Sequence, residues 1–287
     1  MPASSPTKII LLTTLAMLAF AANSVLCRLA LGEGSIDAVG FTEIRTLSGA
    51  VTLLLLYFLT AKEKSLALLK RPSPMQFLSL TGYMVFFSYA YVSLAAGTGA
   101  LILFGAVQLT MFMVAIRQGE HFPPLAWAGL LIAVAGLVYL VSPGLSAPDP
   151  IGAVLMVIAG ISWGIYSLLG RGAADPLSST MVNFIYASIL TTILTAVMIS
   201  DLVITPIGVM YAVLSGAIAS GCGYAIWYAA LKGLTASRAA TVQLTVPAIA
   251  AIGGALLLSE DITLRLAIAG LATLGGVGIV LTQRMKA

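Results

Sequence analysis

Long hydrophobic runs separated by short polar stretches dominate the chain. A helix needs about 20 apolar residues to cross the roughly 30 Å hydrocarbon core of a membrane. Glycine, proline and charged positions mark the connections between the runs. The pattern predicts ten membrane-spanning helices, over residues 9–31, 38–60, 75–96, 99–116, 125–142, 151–170, 181–200, 207–231, 236–258 and 264–282.

An internal repeat divides these helices into two groups of five. Residues 89–110 align without a gap on residues 224–245, with seven of 22 positions identical. The most loop-like stretch, residues 142–150, separates the two groups. Each group crosses the membrane an odd number of times, so the second group must enter from the opposite side. The sequence therefore predicts an all-α integral membrane protein, with residues 1–147 and 148–287 forming two inverted five-helix repeats.

Composition argues against several other classes of protein. Hydrophobic residues make up 60% of the 287 positions and charged residues only 8%, which leaves too few polar side chains for a water-soluble surface. The net charge is +4, but the basic residues lie singly or in pairs between apolar runs and form no basic face, so we expect no nucleic-acid partner. His121 is the only histidine and the carboxylates are not clustered. We therefore expect no metal site, no cofactor and no enzymatic activity.

Positive charges predict the orientation in the membrane. If the odd-numbered connections share one side, that side holds Arg28 and Arg265. Because cytoplasmic loops carry the excess of lysine and arginine, the other side and both termini are predicted to be cytoplasmic. The basic residues on that richer side are Lys8, Lys62, Lys64, Lys70, Arg71, Arg117, Arg171, Lys232, Arg284 and Lys286, and Arg238 opens the ninth helix there.

Trp163 is the strongest candidate for a substrate contact. It lies seven residues before Arg171, about 10 Å inside the predicted cytoplasmic end, which is too deep for the interfacial belt of aromatic residues. Gly160 and Gly164 flank it and allow another helix or a ligand to approach closely. Tyr166 lies about one turn further along the same face. The alternative is that Trp163 only fills the bundle or faces lipid.

Residues at related positions of the two repeats extend this candidate site. Asn23 corresponds to Trp163 at an offset of 140 residues, and inverted-repeat transporters bind their ligands at the repeat interface near mid-membrane. Gln108 and its counterpart Gln243 supply donors and acceptors on the fourth and ninth helices, although hydrogen bonding between helices would explain them equally well. The predicted substrate-binding residues are Trp163, Tyr166, Asn23, Gln108, Gln243, Tyr91 and Tyr224.

Glu43 and Arg45 are the charged residues well inside a predicted span. They lie roughly 8 to 10 Å below the outer surface, where a charge needs a partner. Being two residues apart, they point to different faces of the helix and do not pair with each other. Glu43 is expected either to pair with Arg28 as a structural clasp or, with Arg45, to handle protons or substrate.

The full length of the chain resembles the drug/metabolite transporter superfamily, specifically its two-domain, EamA-like exporters. Each half has a glutamate after its fourth helix and a glycine-rich fifth helix, with Glu120 and Gly136 in the first half and Glu260 and Gly276 in the second. Within the superfamily the chain is most similar to the branch that exports amino acids, including aromatic ones. The resemblance implies a cavity that is walled by the first, third, fourth, sixth, eighth and ninth helices and opens alternately to each side.

Together these observations predict a secondary transporter that exports neutral and aromatic amino acids across the bacterial inner membrane by alternating access. Asn23, Gln108 and Gln243 would surround the head group of a zwitterion, while Trp163 and Tyr166 pack against its side chain. The alternatives are broad efflux of small hydrophobic compounds or another neutral metabolite, and a non-transporting membrane scaffold. The expected partners are the lipid bilayer and a small-molecule substrate.

Overall fold

The described chain is almost entirely helical. The computed structural model describes residues 6–60, 72–171, 173–198, 202–234 and 236–284. We number the helices in chain order as α1 (Pro6–Gly32), α2 (Ala38–Thr60), α3 (Pro74–Tyr91), α4 (Ala96–Arg117), α5 (Pro124–Val141), α6 (Pro150–Gly170), α7 (Pro176–Val197), α8 (Pro206–Leu231), α9 (Ala236–Gln243 and Val246–Leu258) and α10 (Leu264–Arg284).

Most of these helices have the dimensions of membrane spans. Within the described ranges, nine are long and apolar enough to cross a membrane by length and composition. The remaining one, α3, has 18 residues but includes a glutamine, two serines, a threonine and three tyrosines. Lipid favours helices because every backbone N–H and C=O within them is bonded internally. The prediction of an all-α integral membrane protein is confirmed.

Proline at the first helical position marks the start of six helices, α1, α3, α5, α6, α7 and α8. Proline suits this position because its missing N–H would have no partner in the first turn. Before α6, α7 and α8, the side chains of Asp149, Asp175 and Thr205 accept a hydrogen bond from the backbone N–H three residues later. The cap and proline start α7 at Pro176, whereas hydropathy alone predicted a start at residue 181.

The boundary between the third and fourth helices also differs from the prediction. Residues 92–95 form a turn, so α3 ends at Tyr91 and α4 begins at Ala96 rather than at residue 99. The turn carries no charge, glycine or proline, so it lacks the polar punctuation that marks the other connections.

Two helices near the candidate site are irregular. Residues Leu214–Cys222 of α8 form a π-helical segment, a conformation that is rare and often found at functional sites. The ninth helix is interrupted at residues 244–245, just before Pro247, which lacks the N–H needed to continue the α-helical hydrogen bonds.

The two halves of the sequence interdigitate in one bundle. Helix α1 packs on α8 and α9, and α6 packs on α3 and α4. Adding five to each helix number, and continuing from α10 to α1, converts the contacts of α1 with α8 and α9 into those of α6 with α3 and α4. Helices α2, α4 and α5 pack on their own counterparts α7, α9 and α10.

Small residues allow α5 and α10 to approach closely. A Cβ atom added at Gly129 would lie 2.6 Å from the Gly276 carbonyl oxygen, and one added at Gly136 would lie 2.7 Å from the Thr273 hydroxyl. Close backbone contact through glycine is typical of helix pairs in membranes.

The connections define two ends of the bundle. The odd end holds the first, third, fifth, seventh and ninth connections; the even end holds the others. At the odd end, the Val203 backbone N–H donates to Asp37 at 2.8 Å and Ser93 donates to Asp149 at 2.9 Å. At the even end, Gln76 at the start of α3 donates to a carbonyl in the last turn of α6 at 3.0 Å.

Candidate substrate-binding site

Three aromatic side chains, one each from α3, α6 and α8, surround the indole of Trp163. Tyr224 of α8 stacks on it with ring centroids 5.4 Å apart and an angle of 25° between the planes. Tyr83 of α3 and Tyr166 of α6 contact it at 4.9 and 5.4 Å. We call Trp163, Tyr166, Tyr224 and Tyr83 the aromatic cluster. Its π faces form an apolar wall suited to an aliphatic or aromatic group.

The glycines that flank Trp163 pack closely against α4. A Cβ atom added at Gly160 would lie 2.6 Å from the Ala106 side chain, and one at Gly164 would lie 3.0 Å from Thr110. The helix whose approach these glycines permit is therefore α4, along the stretch that contains Gln108. Trp163 itself is partly exposed, unlike most of the bundle interior.

Hydrogen bonds fix the position of Tyr166. The Tyr166 hydroxyl donates to Thr180 of α7 at 3.3 Å, and the Thr180 and Tyr228 hydroxyls lie 2.9 Å apart. Tyr166 is buried, with 4% of its surface exposed. Its hydroxyl group is therefore engaged in a network that connects α6 with α7 and α8.

Asn23 links α1 to the π-helical segment of α8. Its side-chain oxygen accepts hydrogen bonds from Ser215 at 2.8 Å and Ser220 at 3.3 Å, and all three residues are buried. The Asn23 oxygen that was predicted to contact the substrate head group is thus occupied by two serine hydroxyl donors. Sequence symmetry placed Asn23 opposite Trp163, but its recorded hydrogen bonds run to α8.

Gln108 lines a cavity of about 530 Å³ at the even end. Helices α4, α5, α9 and α10 form the walls, and Glu120, His121 and Arg171 lie at its edge with Gln283. Gln243 is partly exposed and is not among the residues that line this cavity. The two glutamines predicted to act together therefore occupy different surroundings.

A latch closes the odd end between α1, α4 and α9. Arg28 donates through Nε to Glu260 at 3.2 Å and through Nη1 to the Val92 carbonyl at 2.9 Å. The other oxygen of Glu260 accepts from the Ala96 backbone N–H at 2.8 Å. Tyr91 lies beside the latch, fully buried, and its hydroxyl donates to the Ala96 carbonyl at 3.1 Å. Tyr91 therefore belongs to this closure.

The predicted ion pair between Glu43 and Arg28 is wrong. Arg28 pairs with Glu260, as described above, and Glu43 accepts hydrogen bonds from Thr191 at 2.5 Å and Thr192 at 2.7 Å. The reason is helix order: α2 packs on α7, which presents the two threonine hydroxyls to Glu43. The sequence had identified Glu260 only as the repeat counterpart of Glu120.

Arg45 is a fully buried cation without a carboxylate partner in the described chain. Its Nη2 donates to the Tyr83 hydroxyl at 3.1 Å, and its guanidinium carbon lies 4.7 Å from the Phe87 ring centroid. Nε and Nη1 are buried without an acceptor. A charge in the membrane interior costs several kcal/mol, and the aromatic contacts offset only about 2 kcal/mol of this. The described residues therefore leave this charge uncompensated.

Sequence reasoning located part of this arrangement. The predicted residues that meet around one indole ring are Trp163, Tyr166 and Tyr224. The sequence missed Tyr83, which lies between Arg45 and Trp163, because one tyrosine among several on α3 carries no distinguishing signal. Among the described residues, no group of three or more histidine, cysteine, aspartate or glutamate side chains is arranged to hold a metal ion.

Comparison with known proteins relates the chain to membrane transporters. Residues 150–282 match the EamA-like transporter family. The chain is 49% identical to an uncharacterized protein of Pseudomonas aeruginosa, over 96% of this chain and 95% of that protein. It is 30% identical to the threonine/homoserine exporter RhtA of Salmonella typhimurium, over 79% of this chain and 76% of the exporter. The chain belongs to the EamA-like transporter family.

Membership of the EamA-like family confirms the resemblance to the drug/metabolite transporter superfamily, and the likeness to RhtA agrees with the amino-acid exporter branch. A crystal structure of another protein shares the fold, with a TM-score of 0.67 and 18% identity over 98% of this chain and 99% of that one. This EamA-like protein is thus a multi-pass membrane protein of a transporter family.

Proposed function

We propose that the protein is a secondary transporter that exports neutral and aromatic amino acids across the bacterial inner membrane. Family membership supports transport, and the name of the relative RhtA, a threonine/homoserine exporter, supports amino acids as the cargo. In the proposed orientation the even end and both termini face the cytoplasm.

The observation that carries the proposal is the difference between the two ends. The latch of Arg28 and Glu260 joins α1, α4 and α9 at the odd end, while a cavity of about 530 Å³ at the even end is lined by Gln108. A second cavity, of about 660 Å³, lies at the odd end beside α2, α3 and α6, and neither Arg28 nor Glu260 lines it. Alternating access requires that one end be closed while the other admits cargo. In the proposed orientation this arrangement receives cargo from the cytoplasm, and opening of the latch releases it outside.

The packing pattern supports an inverted repeat as the machinery of this exchange. Moving every helix five positions converts the α1 contacts with α8 and α9 into the α6 contacts with α3 and α4. Two halves with equivalent packing are able to exchange their arrangements, and this would move the closure from one end to the other. We therefore propose residues 1–147 and 148–287 as the inverted repeats.

The aromatic cluster supplies the proposed contact for the cargo side chain. Trp163 is partly exposed, and the glycines that flank it lie against α4, the helix that carries Gln108 into the cavity. An amino acid that enters from the even end would place its side chain on the indole while amide groups such as that of Gln108 contact its head group.

Flux into inside-out membrane vesicles tests this function. We expect uptake of labelled L-phenylalanine and L-threonine, and we expect Trp163→Ala to reduce phenylalanine transport by roughly three- to tenfold, the value of one lost aromatic contact. Trp127→Ala is the matched control, because Trp127 is outside the aromatic cluster and 45% exposed.

Each alternative predicts a different result in the same vesicles. If Trp163→Ala transported phenylalanine and threonine at the same rates as the unaltered protein, the proposed role of Trp163 would be overturned. Efflux of hydrophobic dyes without amino-acid flux would favour broad efflux, and no flux of either kind would favour a scaffold.

A further inference from the structure

The uncompensated charge of Arg45 points to the part of the cargo that it binds. Of the guanidinium donors, the single N–H of Nε and both N–H groups of Nη1 are buried without an acceptor in the described structure. Native proteins bond nearly all buried donors, so an orphaned cation in a transporter interior points to a position where the cargo supplies the acceptor. We propose that Arg45 binds the carboxylate of the transported molecule, an inference that rests on the proposed transport function.

A short chain of contacts connects Arg45 to the aromatic cluster. Arg45 donates to the Tyr83 hydroxyl at 3.1 Å, and the Tyr83 ring lies 4.9 Å from that of Trp163. The Tyr83 side chain thus lies between the cation and the indole of Trp163, the proposed contact for the cargo side chain. A small amphipathic acid would span this distance, with its carboxylate at Arg45 and its apolar group on Trp163.

The surroundings of Arg45 bury its Nε and Nη1 donors without offering them an acceptor, so a ligand would reach them as the packing around Arg45 opens. The Phe87 ring covers one face of the guanidinium, with its centroid 4.7 Å from the central carbon, and the donors point outward in the guanidinium plane. Glu43, two residues away, is held by threonine hydroxyls on α7. Carboxylates form short, strong bonds to arginine, often two at once.

Arg265 shows how the same residue type is satisfied when it serves the structure. Its guanidinium also contacts an aromatic ring, that of Tyr139 at 5.5 Å. Its Nη1 donates to the Ser142 carbonyl at 2.6 Å and its Nη2 to the Pro143 carbonyl at 3.3 Å. Arg45 has the aromatic contact without the carbonyl acceptors, which is the difference expected between a binding group and a structural clasp.

Competition by two analogues of phenylalanine tests the proposal in the unaltered protein. 3-Phenylpropanoate keeps the carboxylate and lacks the ammonium group, whereas 2-phenylethylamine keeps the ammonium group and lacks the carboxylate. We expect phenylpropanoate to inhibit labelled phenylalanine uptake into inside-out vesicles at a concentration at least about tenfold lower than phenylethylamine. Equal inhibition by the two, or stronger inhibition by the amine, would overturn the assignment.

Variants then separate binding from packing. We expect Arg45→Met to abolish the preference for phenylpropanoate without lowering the melting temperature, because it removes an unpaired buried charge. Arg45→Lys should retain part of the preference, and Arg265→Met should retain all of it. A lowered melting temperature in Arg45→Met with the preference intact would assign Arg45 to packing and overturn the proposal.

Failure of the proposed function is distinguishable from failure of this inference. If the vesicles transport no amino acid, binding of labelled 3-phenylpropanoate to the purified protein is measured by equilibrium dialysis. Binding that is lost in Arg45→Met and kept in Arg265→Met would retain Arg45 as a carboxylate site while the amino-acid assignment fails. No binding to the unaltered protein would overturn both.

Discussion

Removing the charge of Glu260 should open the odd end of the protein. Glu260→Gln preserves the shape of the side chain but replaces a charged acceptor of two hydrogen bonds, from Arg28 and from the Ala96 backbone, with a neutral one. Cys27, adjacent to Arg28 in α1, is fully buried in the closed structure. Opening of the latch is therefore expected to expose the Cys27 thiol to reagents from that side.

The size of the effect follows from the exposure of the pair. Hydrogen bonds to charged groups contribute about 1.5 to 3 kcal/mol, against about 1 kcal/mol for neutral ones. The side chains of Arg28 and Glu260 are 24% and 16% exposed, so solvent screens part of their interaction. We expect the closed state to lose about 1.4 kcal/mol, which raises the open population about tenfold.

Thiol modification measures this population. In a Cys222→Ser background, a membrane-impermeant maleimide is added to right-side-out vesicles and the rate of Cys27 labelling is followed. Glu260→Gln should react about tenfold faster than the parent. Asp261→Asn is the control, because Asp261 is the exposed neighbour of Glu260 and its substitution removes the same negative charge from the same turn.

A single comparison would refute the reasoning. If Glu260→Gln and Asp261→Asn label at the same rate, the contacts of Glu260 do not hold the odd end closed. Acceleration in inside-out vesicles alone would show that the proposed orientation is reversed.

Three further substitutions test the packing and the remaining polar contacts. Gly276→Ala should melt below Gly275→Ala in detergent, by the equivalent of about 1 to 3 kcal/mol, because its methyl group meets the Gly129 carbonyl while Gly275 has open space; equal melting temperatures would contradict this close contact. Asn23→Leu should lower the melting temperature by the equivalent of about 1 to 3 kcal/mol, since two buried serine hydroxyls lose their acceptor, and an unchanged value would argue against the tie between α1 and α8. Glu43→Gln should leave the dependence of amino-acid flux on an imposed proton gradient unchanged, because its carboxylate is bonded to threonines of α7; loss of that dependence would assign proton coupling to Glu43.

The aromatic cluster shows how far sequence reasoning reaches into the site. Depth along a helix is set by counting residues, so the position of Trp163 and its glycine-flanked face were predictable. The identity of the helix that fits against those glycines was not, because it depends on packing between segments far apart in the chain. The place of Tyr83 in the aromatic cluster also depends on packing between distant segments, so it was not predictable from the sequence.

The charged residues show the opposite outcome. Glu43 and Arg45 were recognizable as buried charges that needed partners, but the expected partner of Glu43 was wrong. The packing of the helices places α2 on α7, so threonines of α7 reach Glu43. Arg28 of α1 meets Glu260 just beyond the end of α9. A partner 232 residues away in sequence leaves no local signal.

The sequence by itself determined the class of the protein. Hydrophobic runs of spanning length, together with an internal repeat, predict a helical membrane transporter because lipid admits few other ways of bonding the backbone. Tertiary structure alone decided which buried groups satisfy one another. It tied Asn23 to two serines, joined Arg28 to Glu260 at the odd end, and left Arg45 beside Tyr83 with two buried nitrogens that have no acceptor among the described residues.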